Sequence, residues 1–136
     1  MHKNLVILIL LNIGAYSAVS AANMSICTSS RTWHGKTACL VKSPHTCHRA
    51  DEICTQNDMQ LYTINDDFDM MLIFYFTTKQ FREQSVEFWV KIYEHDECVS
   101  LSSVRGNFNI KTDGFDREND EKYFYCEFKS KHFSLL

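Results

Sequence analysis

The feature that most constrains this chain is its six cysteines, all of which follow residue 26. An even number of cysteines in a short chain behind a secretory leader indicates a disulfide framework, and six cysteines allow 15 connectivities. Cys47 and Cys54 lie seven residues apart in a segment that predicts a helix, which separates their Cα atoms by about 10.5 Å. A disulfide needs less than about 7 Å, so these two cysteines bond to other partners.

The leader is the first 22 residues. Lys3 precedes the apolar run 5–11, and small residues then lead to Ala21 and Ala22. This order is typical of a cleaved secretory signal peptide, and interruption of the apolar stretch at Asn12 and Gly14 disfavours a permanent membrane span. We therefore predict a signal peptide at 1–22, a domain at 23–136 and a secreted, extracellular protein. The alternative is an uncleaved N-terminal anchor.

The mature domain is mildly acidic. Removing the leader takes one of the 14 basic residues and none of the 17 acidic residues, so the net charge changes from −3 to −4. The chain has no block of basic residues, so we expect neither nucleic acid nor an anionic membrane as a partner. A mature chain of about 114 residues is long enough for one domain with one core.

Apolar periodicity predicts two helices. A first helix over 44–56 starts at Ser43 and Pro44, because serine is a good N-cap and proline suits the first helical position. A second helix over 66–80 is capped by Asn65 and carries acidic residues in its first turn and basic residues near its end, which suits the helix dipole. This second helix is apolar almost all round, which predicts deep burial.

Short runs rich in aromatic and β-branched residues predict strands at 87–93, 97–101 and 122–128. An early strand or hairpin is predicted over 33–41, turning at Gly35. Helices first and strands later indicate an α+β fold, in which two helices pack on a small, mostly antiparallel, disulfide-stabilised sheet. The expected core residues are Ala50, Ile53, Leu61, Ile64, Phe68, Leu72, Phe88, Val90 and Phe124.

Four short motifs occur in a fixed order along the chain. They are CHRADEIC (47–54), FWVKI (88–92), CVSL (98–101) and FYCE (124–127). In this order they resemble the C-type lectin-like domain, in which the first motif usually begins with a tryptophan where Cys47 stands here. The resemblance covers about residues 27 to 128 and implies the C-type lectin-like fold.

The resemblance also implies disulfide pairs. It joins Cys54 to Cys126 and Cys27 to Cys39. The usual partner of Cys98 is missing, because Glu118 stands in its position, and Cys47 is an additional cysteine. The implied third pair is Cys47 with Cys98, and the alternative is two free thiols.

Sugar-binding members of the family hold calcium with a Glu-Pro-Asn or Gln-Pro-Asp triplet in a long loop and a Trp-Asn-Asp near the end. Here the one proline is Pro44, far upstream, and eight residues separate Trp89 from Cys98, where the long loop usually lies. The acidic stretch 113–121 offers only a poor remnant, and calcium needs six to eight oxygen ligands. We therefore expect no metal ion and no cofactor.

The function implied by the resemblance is a secreted lectin-like recognition module that binds a glycan or an extracellular protein, without the conventional calcium-dependent sugar site. The alternatives are a secreted enzyme inhibitor or other disulfide-rich effector on the same scaffold, and a calcium-dependent carbohydrate-binding lectin. No catalytic motif is present, so we expect no enzyme activity and assign no catalytic residue. Asn23 begins an Asn-Met-Ser sequon and is the expected glycosylation site. The oligomeric state stays open.

Overall fold

The computed structural model describes residues 22–93, 97–105, 107–111 and 119–129, so the predicted signal peptide lies outside the described residues apart from Ala22. A short 3-10 turn at Met24–Ile26 precedes the first strand. The helices are α1 (Cys47–Gln56) and α2 (Asp67–Phe81). The strands are β1 (Ser29–Trp33), β2 (Lys36–His45), β3 (Gln60–Leu61), β4 (Thr63–Ile64), β5 (Val86–Ile92), β6 (Glu97–Val104), β7 (Asn107–Lys111) and β8 (Lys122–Lys129).

The strands form one sheet in the order β1-β2-β8-β5-β6-β7, with β3 beside β8 and β4 beside β5. All pairs are antiparallel except β4 with β5 and β5 with β8. The last strand lies between β2 and β5, so it brings the end of the domain next to its beginning. The α+β fold with two helices on a mostly antiparallel sheet is confirmed.

The hairpin of β1 and β2 turns through two residues. His34 and Gly35 both have positive φ values, 51° and 77°, as a two-residue type I′ hairpin requires. Trp33 pairs with Lys36 at the base of this turn. The predicted turn at Gly35 is therefore found, and the strand that follows it extends as far as His45.

The start of α1 differs from the prediction. Pro44 lies near the end of β2, where the pairing with β8 shifts register between Val41 and His45. The N-cap is Thr46, whose side chain accepts a hydrogen bond from the backbone N–H of Arg49 at 3.3 Å. The predicted start at Ser43 and Pro44 is wrong because β2 continues as far as His45, which leaves Thr46, another favourable N-cap residue, to start the helix.

The start of α2 differs by one residue. Asp66, rather than Asn65, is the N-cap, and its carboxylate accepts from the backbone N–H of Asp69 at 3.0 Å. Asn65 instead donates its backbone and side-chain N–H groups to the Asp69 carboxylate, at 2.8 and 3.1 Å. Aspartate and asparagine are equally good N-caps, so the sequence could not distinguish them.

Two groups of buried side chains form the core. The disulfide cluster lies around α1 and contains Cys39, Val41, Ala50, Cys54, Met59, Leu61, Trp89, Phe124 and Cys126. The aromatic cluster lies under α2 and contains Ala38, Leu40, Tyr62, Ile64, Leu72, Ile73, Phe76, Phe81, Val86, Phe88, Val90, Val99, Leu101 and Tyr125.

Seven of the nine expected core residues are buried, and two are not. Ile53 is half-buried at the edge of the disulfide cluster, while Phe68 is 65 % exposed. Residues four apart on a helix drift by about 40° around its axis, so Phe68 is turned well away from Phe76, the centre of the buried face. Its expected burial is therefore wrong. None of the helices in the described part of the chain is long and apolar enough to cross a membrane.

Candidate interaction surface

The outer side of α2 is apolar and exposed. Its inner side buries Leu72, Ile73 and Phe76 against the sheet. Four large side chains point outward, with exposed fractions of 65 % for Phe68, 53 % for Met71, 41 % for Phe74 and 40 % for Tyr75. A contiguous group of exposed apolar side chains on a small domain is typical of an interaction surface.

The β1–β2 hairpin borders one side of this helix. The rings of Trp33 and His34 stack with centroids 5.7 Å apart. His34 in turn makes an edge contact with Phe68, with centroids 5.9 Å apart. Because the I′ turn fixes the backbone of His34, the hairpin holds this ring against the first turn of α2.

Strand β7 borders the other side. Phe74 packs on Phe108 with ring centroids 4.7 Å apart, and Phe108 continues inward to the buried Phe88 at 6.1 Å. An apolar surface therefore runs from the hairpin across α2 to β7. We call it the aromatic face and define it by Trp33, His34, Phe68, Met71, Phe74, Tyr75 and Phe108.

Two cations lie over the ring of Tyr75. The guanidinium carbon of Arg31 is 4.7 Å from the ring centroid and Lys79 Nζ is 5.3 Å from it. Both distances are within the range of a cation–π interaction. The aromatic face is thus positively charged along one margin, and the ring of Tyr75 is covered by these two cations.

A buried ion-pair network lies beneath the aromatic face. Lys36 Nζ is 2.9 Å from Asp69 Oδ1 and 2.9 Å from Glu127 Oε2. It also donates to the carbonyl oxygen of Thr63 at 2.8 Å and lies 4.2 Å above the ring of Tyr62. The network joins β2, α2 and β8, so it fixes which side of α2 meets the sheet and which side faces outward.

The other groups around this network also have partners. Glu127 Oε1 accepts from the Thr63 backbone N–H at 2.9 Å and from Gln60 Nε2 at 3.1 Å. The Tyr62 hydroxyl donates to the backbone carbonyl of Asp69 at 2.6 Å. Buried charges are tolerated only where such partners compensate for lost hydration.

Ionisation of this network follows from its surroundings. Burial opposes the charged form of Asp69, but hydrogen bonds from Lys36 and Asn65 outweigh it, so the pKa of Asp69 lies below its ordinary value of 3.8. Burial and the nearby charges of Asp69 and Glu127 raise the pKa of the Tyr62 hydroxyl. Tyr62 therefore stays neutral and donates its proton, while Asp69 stays ionised beside Lys36.

All six cysteines lie among the described residues. The structure pairs Cys27 with Cys39, Cys47 with Cys98 and Cys54 with Cys126, at Cα–Cα distances of 5.2, 6.2 and 5.5 Å. These are the pairs that the resemblance implies. Cys47 and Cys54 both lie on α1, and their disulfides link this helix to β6 and β8, respectively.

Only four residues stand in the sequence where the long loop of the family usually lies. Strands β5 and β6 pair directly, and Ile92 is the register partner of Glu97, so residues 93–96 alone join them. Most of the acidic stretch 113–121 lies outside the described residues, including Asp116 and Glu118. Within the described residues, no three histidine, cysteine, aspartate or glutamate side chains gather as metal ligands would.

The aromatic face was not predicted as a site from the sequence. The available signal was α2 itself, where Phe68, Met71, Phe74 and Tyr75 fall outside the stripe that one sheet can cover. An amphipathic helix needs an apolar stripe only somewhat wider than 100°. A helix that is apolar all round in a small two-layer domain therefore predicts an exposed apolar surface rather than deep burial.

No family model matches the chain, and no curated protein sequence matches it. Solved structures do match. Rhodocetin superposes with a TM-score of 0.61 at 13% identity, covering 76% of this chain and 96% of that one. EMS16, described as an antagonist of the collagen receptor integrin alpha2beta1, gives 0.54 at 13% identity, over 76% and 99% of the two chains.

A mouse scavenger receptor C-type lectin carbohydrate-recognition domain gives a TM-score of 0.55 at 14% identity, over 76% of this chain and 96% of that one. The matches span nearly the whole of each similar domain, so they concern the complete fold. In this chain two helices lie on a curled mixed sheet whose last strand closes on the first hairpin. The chain therefore has the C-type lectin-like fold.

Proposed function

We propose that this chain is a secreted recognition module that binds an extracellular protein through the aromatic face, without calcium. The observation that carries this proposal is the outer side of α2, where four large apolar side chains are exposed. Burying such side chains against a partner contributes roughly 25 cal/mol per Å² of apolar surface. The buried Lys36 network holds the face in place before any partner arrives, so little ordering is required on binding.

The composition of the aromatic face favours a protein partner over a glycan. Sugar hydroxyls need convergent polar groups beside an aromatic platform, whereas Phe68, Met71 and Phe74 offer only apolar surface. Aromatic residues and methionine are enriched in protein interfaces. Tyr75 is already covered by Arg31 and Lys79, which leaves little of its ring for a sugar.

The connection between β5 and β6 supports calcium independence. The four residues 93–96 that join Ile92 to Glu97 replace the long loop that carries the calcium-binding triplet in sugar-binding relatives. A calcium ion needs six to eight oxygen ligands. We expect calorimetric titration with millimolar calcium to give little heat and thermal unfolding to be unchanged.

Secretion and glycosylation are part of the same proposal. The leader at 1–22 would be cleaved, and Asn23 is exposed, with its side-chain oxygen accepting from the Ser25 hydroxyl at 2.7 Å. Expression with the native leader in mammalian cells should release the domain into the medium. N-terminal sequencing then locates the cleavage site, and Asn23→Gln should increase electrophoretic mobility if the sequon is used.

A binding screen tests the proposed function. Purified domain is applied to a panel of displayed extracellular proteins and, separately, to a glycan array, each with and without a chelator. The variants are Phe68→Ser and Phe74→Ser on the aromatic face. Tyr93→Ser is the matched control, because Tyr93 is an aromatic residue that is 71 % exposed, directly follows β5 and is not part of the aromatic face.

We expect a panel protein that binds wild type and Tyr93→Ser equally, that loses binding to both aromatic-face variants, and that is unaffected by chelator. Glycan binding that the chelator abolishes would contradict the proposal and favour a calcium-dependent lectin. Binding that Tyr93→Ser removes and Phe68→Ser leaves intact would place the site at Tyr93 rather than on the aromatic face.

A further inference from the structure

One row of side chains on the outer side of α2 carries opposite charges at its two ends. Asp67, Met71, Tyr75 and Lys79 are each four residues apart, and all four are exposed. Asp67 lies in the first turn of the helix and Lys79 in the last. Read along the helix, the row is acidic, apolar, apolar and basic, so it is complementary to a copy of itself that runs in the opposite direction.

We propose that a second copy of this chain binds the aromatic face, with the two α2 helices antiparallel across a twofold axis. Rows of residues spaced by four are the ridges that interlock in the commonest class of helix packing, with a crossing angle of about −50°. In that arrangement the row of one copy lies alongside the row of the other. A twofold contact uses the same surface on both copies, which this row permits.

The positions of the four residues fit such an axis. Asp67 and Lys79 lie six residues either side of residue 73, about 9 Å along the helix in each direction. Met71 and Tyr75 lie two residues either side of the same level. A twofold axis at the level of residue 73 therefore brings Asp67 of each copy beside Lys79 of the other, and Met71 beside Tyr75. Two equivalent ion pairs then flank a centre of Met71 and Tyr75 side chains, in which each Tyr75 ring keeps Arg31 of its own copy over it.

The aromatic rings beside the row complete the contact. Phe68 and Phe74 flank it on opposite sides and are 65 % and 41 % exposed. The 15-residue helix is about 22 Å long, so the contact is smaller than the roughly 800 Å² per partner of a typical stable interface. The dimer is consequently weak and depends on protein concentration.

This dimer regulates the aromatic face, a consequence that rests on the proposed function. A second copy covers Phe68, Met71 and Phe74, which the proposed protein partner also needs. Self-association and partner binding therefore compete. The domain is masked where it is concentrated, and its face becomes available where it is dilute.

Sedimentation equilibrium over a wide concentration range tests the dimer. Wild type should show a monomer–dimer equilibrium that weakens as salt rises, because salt screens exposed ion pairs. Asp67→Lys alone and Lys79→Asp alone should each weaken self-association about tenfold, because each places like charges together twice per dimer. The double variant D67K/K79D should restore it.

A mixture of the two single variants is the decisive measurement. One copy then carries lysine at both ends of the row and the other aspartate at both ends, so the two should form a heterodimer although neither self-associates. Thermal unfolding of each variant checks that the fold is retained. Glu83→Lys is the control, since Glu83 is exposed and lies after the end of α2.

Wild type that stays monomeric at every concentration would overturn the dimer, as would a dimer that neither single variant weakens or a mixture that does not associate. These outcomes are separable from failure of the proposed function. A monomer whose panel binding still depends on Phe68 removes the dimer alone. A dimer whose panel binding is indifferent to Phe68→Ser removes the proposed partner site alone.

Discussion

The two helices of this domain are held by different means. Helix α1 buries only Ala50 and Cys54, and all three disulfides belong to or pack against the cluster beneath it. Helix α2 buries six residues, including Phe76 and Phe81, over a cluster rich in aromatic rings and without a cysteine among its described members. One half of the core is tethered by covalent bonds and the other is packed.

The proposed interaction surface lies over the packed half. Because α1 is short and its buried residues are small, it buries little apolar area. Disulfides add to the stability of this half by restricting the unfolded chain. Phe76, Phe88 and Tyr125 fill the other half through edge contacts, with ring centroids 5.4 and 4.8 Å from Tyr125. The exposed aromatic rings of α2 lie on the outer side of that half.

The largest expected effect is in the packed half. Phe76→Ala should reduce the free energy of unfolding by up to about 5 kcal/mol, because it removes a buried ring and leaves a cavity. Urea unfolding followed by tryptophan fluorescence measures it. Phe74→Ala is the control on the same helix and should cost less than about 1 kcal/mol, since Phe74 is largely outside the core. Equal losses would show that the two sides of α2 are not distinct.

The next effect is in the tethered half. Cys54→Ala with Cys126→Ala removes a link between residues 72 apart and should cost about 4 kcal/mol in the chain-entropy model. Cys27→Ala with Cys39→Ala opens a loop of only 12 residues and should cost about 3 kcal/mol. Urea midpoints of the oxidised proteins give the comparison.

Peptide mapping of the unreduced wild type completes that test. We predict recovery of Cys47 linked to Cys98, in addition to the two pairs above. Recovery of Cys47 and Cys98 as alkylatable free thiols would break the proposed division, because the tethered half would then have only two links.

A smaller effect concerns the network that ties α2 to the sheet. Lys36→Met should cost about 3 kcal/mol, because it leaves the buried Glu127 carboxylate without its cation. Adding Glu127→Gln should recover part of that loss, which a double-mutant cycle measures. Lys42→Met, at an exposed lysine next to the Phe81 ring, should change stability by less than about 0.5 kcal/mol. If the double variant loses as much stability as Lys36→Met alone, the loss is due to packing of the Lys36 side chain rather than to its charge.

The smallest effect is the response to acid. A carboxyl group whose pKa is lower in the folded state than in the unfolded state stabilises the fold at a pH above its unfolded-state pKa. That contribution disappears as the pH falls through the folded-state pKa. The pKa of Asp69 is lowered from 3.8, so its contribution is present at neutral pH and is lost below about pH 4. Asp69→Asn should flatten the fall in thermal stability over that range, and an unchanged slope would contradict it.

The sequence predicted much of the fold because its strongest signals are local. The cysteine motifs, the two helical periodicities and the Gly35 turn each depend on neighbouring residues, and each is found close to its expected place. Strand β7 was missed although its five residues, Asn107–Lys111, alternate between polar and apolar types. The run is short, and two of its residues are asparagines, which are depleted in strands. The start of α1 was misplaced because Ser43 and Thr46 are comparable caps, and only the register of β2 with β8 decides between them.

The aromatic face could not be predicted from local sequence patterns in the same way. Exposure of Phe68 depends on the hairpin tip and on the drift of residues around α2, neither of which a local pattern contains. The buried Lys36 network joins residues from β2, α2 and β8, which are remote in sequence. In the sequence alone, Lys36 is one of several surface-like lysines, and its burial follows only from tertiary contacts.

The register of β2 against β8, in which Cys39 lies opposite Cys126, has a consequence for biosynthesis. A ribosome delivers β2 before both helices and β8 after every other described strand, so the centre of the sheet is incomplete until β8 has been made. Until then β2 has an open edge, Lys36 lacks its glutamate and Cys54 lacks its sulfur partner. We therefore expect the sheet to close late, once β8 is available to pair with β2 and to present Cys126 to Cys54.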